Sequence, residues 1–175
     1  KRNPYFPDEP PAPLGVYGES KAAGEAATAK ANPRHFIVRT AWLYGPGGNN
    51  FVEKILRFAA QRPSLRVVEE ETGSPTHTRD LAEALLALAG TQAYGTYHAT
   101  NAGACSRFEF AKAILAAAGI EIPVEPCAAG EFPTKAARPV YSVLDCTKLT
   151  EAAQHQMRPW EAALADYLQR RGDGA

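Results

Sequence analysis

The stretch HFIVRTAWLYG, residues 35–45, constrains the fold more than any other part of the chain. It is a near-continuous apolar run, far short of the ~20 residues a membrane span takes. Such a run reads as a strand covered on both faces, the kind found in parallel sheets. A helix is predicted ahead of it, from about 17 to 31, and Pro33 stops that helix by disfavouring helical backbone at Asn32. After it, FVEKILRFAAQ places Phe51, Ile55, Phe58 and Ala59 at helical spacing. The alternation continues with a short strand in SLRVVEEE. Next comes a helix capped by Thr78, with Leu81, Leu85 and Leu88 as its buried stripe, and then a strand in GTYHAT. Ser106 and Glu109 form a capping box for SRFEFAKAILAAAG, which Gly119 ends. Residues 122–145 read as extended or looped, and a last helix, about 159 to 170, buries Trp160, Leu164, Tyr167 and Leu168. Helices and strands that alternate in this way define an α/β chain.

Composition narrows what such a chain does. Its 19 basic and 19 acidic residues balance, with no long run of one sign, which argues against a nucleic-acid footprint or a polybasic membrane patch. No apolar run reaches membrane-spanning length; LAEALLALAG is among the longest. Cys105, Cys127 and Cys146 are widely spaced and odd in number, so they read as small buried thiols of a reducing, cytoplasmic compartment. His35, His77, His98 and His155 are scattered without metal-ligand spacing, and no metal site is predicted. YGPGGNN is rich in glycine but lacks the spacing that seats a dinucleotide pyrophosphate on a helix N-terminus. The chain opens on Lys1 rather than methionine, which leads to the expectation of a processed or truncated sequence.

One pair carries chemistry. Tyr17 and Lys21 lie four residues apart on the first predicted helix and so share a face. On spacing alone this is equally a half-buried tyrosine beside a surface lysine. The chemical alternative is specific. A phenol, with a reference pKa of about 10, is a poor proton donor at neutral pH until a nearby cation favours its phenolate. A tyrosine so placed hands its proton to a carbonyl oxygen as hydride reaches the carbon.

The surrounding residues extend this reading. YGESKAAGE resembles the active-site helix of extended short-chain dehydrogenase/reductases. RTAWLYGPGGNNFV, VVEEETGSPTHTRDLA, GTYHATNAG, CSRFEFAKAI and RPVYSVLDCTKL follow in order, and together they resemble the dTDP-4-dehydrorhamnose reductases from about Pro4 to Leu168. The resemblance implies reduction of the C4 keto group of dTDP-4-dehydro-L-rhamnose with NADPH or NADH. It makes Tyr17 the proton donor and Lys21 the lysine that tunes it and meets the cofactor ribose. Trp42 becomes a contact to the dTDP-sugar, with core packing as its alternative. Arg138 either forks onto the pyrophosphate or forms a surface ion pair; Asn49 and Asn50 either donate to phosphate or shape the turn; Ser142 and Thr76 are further candidates, with a structural role as the alternative for Thr76.

The implied architecture is the C-terminal part of a Rossmann-type doubly wound parallel sheet plus a small α/β substrate-binding domain. Residues 1–48 would end the cofactor domain, and 49–175 would be mainly substrate-binding, with some segments returning to the sheet. The N-terminal Rossmann half, with its glycine loop and a third catalytic Ser or Thr, would be missing, a length of about a hundred residues. Alone, the chain is therefore expected to be inactive. Some relatives use Mg²⁺ at a homodimer interface of glutamates, an option the resemblance leaves open here. Glu71 stands where a glutamine is frequent, and Arg107 where an aromatic is common. Two other readings remain: a different sugar-nucleotide epimerase or dehydratase, and a non-catalytic, reductase-like regulatory subunit.

Overall fold

The computed structural model describes residues 3–131 and 138–173. Helix α1, Val16–Ala31, forms as predicted and ends where Asn32 turns extended ahead of Pro33. It buries no residue of its own. It is tied to the fold through Glu25, whose carboxylate accepts from Arg39 Nε and Nη2 at 2.9 and 2.6 Å. Arg39 ends strand β1, Phe36–Arg39, and its Nη1 also donates to the Pro7 carbonyl at 3.2 Å.

β1 pairs in parallel with β6, Gly95–His98, from Phe36 opposite Gly95 to Arg39 opposite His98. The long apolar run is not one buried strand, however. Its four β1 residues are half-buried, and the strand breaks before resuming as β2, Leu43–Tyr44. The cause is Trp42, whose φ of 47° takes the chain through the left-handed region. A bulky side chain rarely adopts that conformation, and no extended strand contains it. β2 then pairs in parallel with β5, Thr76–His77. Two further pairs complete the strands: β3, Leu65–Val68, parallel to β8, Val124–Cys127, and β4, Thr72–Gly73, antiparallel to β7, Cys105–Ser106. The α/β class therefore holds, with parallel pairs predominating.

Helix α2, Phe51–Ala59, turns Val52, Ile55, Leu56 and Ala59 inward. Helix α4, Arg107–Ala117, starts on the expected capping box: Ser106 Oγ accepts from Glu109 N at 3.1 Å, and the Glu109 carboxylate accepts from Ser106 N at 2.7 Å. Gly119 follows the helix at φ 67°. Helix α6, Trp160–Asp173, buries Trp160, Leu164 and Tyr167, with Leu168 partly covered. Helix α5, Thr147–Ala153, was not anticipated, because its seven residues carry too little periodicity to read.

Helix α3, Thr78–Ala89, departs from expectation in two ways. Thr78 is the first helical residue rather than the cap; His77 takes the cap position and makes no side-chain cap bond. The buried stripe is Asp80, Ala84 and Leu88, whereas Leu85 is 41% exposed. Burial of the ion-paired Asp80 rotates the helix away from a purely leucine-lined face.

Two cores result. The larger centres on Phe110, fully buried, which stacks on Phe51 at 5.6 Å and meets Trp160 edge-on at 5.6 Å. The smaller gathers Leu88, Tyr97, Leu149 and Met157 between α3, β6 and α5. Among the described residues no helix is long and apolar enough to cross a membrane.

Candidate active site

Tyr17 and Lys21 share one face of α1, with the Lys21 ammonium 5.5 Å from the centre of the phenol ring. Tyr17 is 77% exposed, and neither side chain has a hydrogen bond or ion pair among the described residues. Ser20 Oγ donates to the Tyr17 carbonyl at 2.9 Å, which leaves the phenol itself uncommitted. At the carboxyl end of β1, where ligands of open α/β sheets bind, Thr40 Oγ1 is buried without a partner. An open phenol and an open ammonium on one helix face are chemically suited to the nicotinamide and ribose end of a dinucleotide. No contact joins Tyr17 or Lys21 to the other expected site residues in the described structure.

Of the expected site residues, Thr76 and Ser142 lie elsewhere, around Trp42. Its left-handed backbone is the kind of strain that persists only where neighbours enforce it. The Trp42 carbonyl accepts from Thr76 N at 3.2 Å, so Thr76 anchors the tryptophan through its backbone. Gly73 lies against the indole: a Cβ there would fall 2.5 Å from Trp42 Cε2 and 2.7 Å from Ser142 Oγ. The Arg107 guanidinium covers a ring face at 3.5 Å, and Phe110 stacks more distantly at 6.4 Å. Nothing local signals that Gly73 and Arg107 frame Trp42, because one comes from the end of β4 and the other from the start of α4.

Asn50 caps α2: its Oδ1 accepts from Glu53 N at 3.1 Å, while Nδ2 donates to the Gly45 carbonyl at 2.9 Å. Its side chain thus shapes the turn. Asn49 and Arg138 are exposed. The segment after Arg138 is stitched to β4, with Thr72 N donating to Val140 O at 2.7 Å and Ser142 N to Thr72 O at 2.8 Å. The charge of Arg138 is felt at Arg107.

Behind β5 lies a buried polar network that fixes the Trp42 support. Asp80, 5% exposed, accepts from Arg158 Nε and Nη2 at 2.9 and 2.8 Å and from Asn101 Nδ2 at 2.6 Å. Asn101 Oδ1 in turn accepts from His77 N at 2.8 Å. Burial alone would raise the Asp80 carboxyl, but the bonds from Arg158 and Asn101 hold it below the usual range. No group of three or more His, Cys, Asp or Glu side chains suited to a metal occurs among the described residues.

Comparison with known proteins gives this arrangement a family. A family profile described as "RmlD substrate binding domain" matches residues 1–172. The spore coat polysaccharide biosynthesis protein SpsK of Bacillus subtilis is 43% identical over 168 residues, covering 96% of this chain and 59% of that protein. A dTDP-4-dehydrorhamnose reductase of Mycobacterium tuberculosis is 44% identical over 168 residues, covering 94% of this chain and 55% of that one. The crystal structure of a dTDP-4-dehydrorhamnose reductase from Bacillus anthracis, in complex with NADP, superposes with a TM-score of 0.92 at 41% identity. That match covers 95% of this chain and 59% of the other. The chain therefore spans between 55% and 59% of the length of these relatives. With the profile matching nearly end to end, the chain belongs to the RmlD substrate binding domain family.

Proposed function

We propose that this chain is the catalytic-helix and substrate-binding part of an NADPH-dependent dTDP-4-dehydrorhamnose reductase, completed by an N-terminal Rossmann half and working in the cytoplasm. The observation that carries the reading is the Tyr17–Lys21 pair, both groups open on one helix face. Relatives above 40% identity named for this reaction, one bound to NADP, support it.

In this reading the cofactor supplies hydride to the C4 carbonyl carbon. Tyr17 gives its phenol proton to the carbonyl oxygen, so the alkoxide never forms free in solution. Lys21 stabilises the phenolate that is left and donates to a ribose hydroxyl. Trp42 and Arg138 hold the nucleotide-sugar so that its C4 faces the phenol. Residues 1–48 would close the cofactor domain, and 49–175 would provide most of the sugar-nucleotide contacts.

The test is NADPH consumption by the full-length protein with dTDP-4-dehydro-L-rhamnose, run beside UDP- and GDP-linked keto sugars. Selective turnover of the dTDP substrate is expected. Turnover of a UDP- or GDP-sugar alone would reassign the chain to another sugar-nucleotide enzyme, and no turnover with a tightly bound foreign subunit would favour a regulatory role.

A further inference from the structure

Glu71 and Arg107, the two positions where the sequence departs from its resemblance, meet beside Trp42. Arg107 N donates to the Glu71 carbonyl at 3.1 Å, and Arg107 Nε reaches Glu71 Oε2 at 3.4 Å. The guanidinium carbon lies over the Trp42 ring at 3.5 Å and near the Phe51 ring at 5.0 Å. Both charged side chains are largely covered, at 16% and 15% exposure.

This geometry leaves donors open. A guanidinium carries five N–H groups in a fixed fork. Among the described residues only Nε has a hydrogen-bond partner, and the Nη donors have none. Burial pushes the Arg107 pKa down to about 10, Glu71 opposes that shift and Arg138 adds to it, so the group stays cationic at neutral pH. Arg138 is exposed and has no ion pair among the described residues. Arg107 thus faces one contacting carboxylate while the charge of Arg138 is felt at its guanidinium, which leaves net positive charge for an anion. The ring face Arg107 covers is closed to stacking by a ligand, so this side of Trp42 offers charge rather than an aromatic surface.

We propose that Arg107 is a specificity-determining residue that, held by Trp42 and Glu71, presents its Nη donors with Arg138 to the diphosphate of a nucleoside-diphosphate ligand. This rests on the reading of the site as one for a sugar nucleotide. Planar forked donors match phosphate oxygens in a way that a lysine or an aromatic does not.

Calorimetric titration of dTDP and of thymidine into the full-length protein tests it, using wild type, Arg107→Met, Arg107→Lys and Glu71→Gln. Arg107→Met should weaken dTDP about 10- to 100-fold, the worth of one or two charge-assisted hydrogen bonds, and change thymidine less than about threefold. Arg107→Lys, which keeps the charge and loses the fork, should fall between; if Arg107→Met does not fold, this variant decides. Glu71→Gln loosens the side-chain tie that holds the guanidinium and should weaken dTDP less than Arg107→Met does; a larger loss than that of Arg107→Met would overturn the proposal. Equal weakening of both ligands, undiminished dTDP binding in the arginine variants, or no dTDP binding by wild type would overturn the proposal. Arg107-dependent dTDP binding without keto-sugar reduction would sink the reductase reading and leave this one standing. Reduction with an unchanged KM in Arg107→Met would do the reverse.

Discussion

Replacing Arg158 with Met should destabilise the protein by about 2–3 kcal/mol near neutral pH, and by much less in acid. Asp80 is 5% exposed and takes two of its three short hydrogen bonds from Arg158. Breaking a fully buried pair costs about 3–5 kcal/mol, because the remaining charge is left unpaired. The Arg158 side chain is 36% exposed, so water screens and partly replaces the lost partner, which lowers the figure. Asn101 also remains to solvate one carboxylate oxygen.

The pH dependence follows from Asp80 being held below its ordinary value. A depressed folded pKa stabilises the fold fully above the unfolded value of about 3.9, and that stabilisation is lost as pH falls through the folded value. The penalty of Arg158→Met should therefore be complete at neutral pH and shrink once Asp80 is protonated in both proteins. Urea unfolding followed by circular dichroism, at neutral pH and at a pH below the depressed folded pKa of Asp80, reads both values. Asp80→Asn with Arg158→Met in a double-mutant cycle isolates the pair. A penalty below about 0.5 kcal/mol, the size of a surface substitution, or one that does not change with pH, would refute the account.

Gly73→Ala should push Trp42 out of its slot, since the new Cβ would sit 2.5 Å from the indole; a shifted tryptophan emission and weakened dTDP binding are expected, and an unchanged spectrum would contradict the framing of Trp42. Ser106→Ala removes half of the α4 capping box and should cost about 1 kcal/mol, lowering Tm by about 2–4 °C. Burial pushes the Cys105 thiol up to about 12, so it should resist a thiol reagent until the protein unfolds. Rapid native labelling of Cys105 would show that its site opens to solvent.

The sequence made the local chemistry readable and the long-range pairing opaque. The α4 capping box and the Gly119 terminator were legible because each lies within a few residues. The Tyr17–Lys21 face was legible because helical spacing alone places the two together. Trp42 was visible as an apolar residue in an apolar run; its positive φ was not, because β2 pairing with β5 sets that turn. Leu85 looked buried because periodicity counts apolar residues and cannot foresee an aspartate buried by an arginine 78 residues away. Arg107 and Glu71 stood out individually, 36 residues apart, with nothing local to show that they meet.

If this segment supplies the proton donor of a keto-sugar reductase, Tyr17→Phe in the full-length protein should remove most of the reduction. Tyr17 is 77% exposed, so the substitution should leave Tm unchanged while kcat for dTDP-4-dehydro-L-rhamnose falls by about 10²- to 10⁴-fold. NADPH oxidation at wild-type rate by the folded Tyr17→Phe protein would contradict the account.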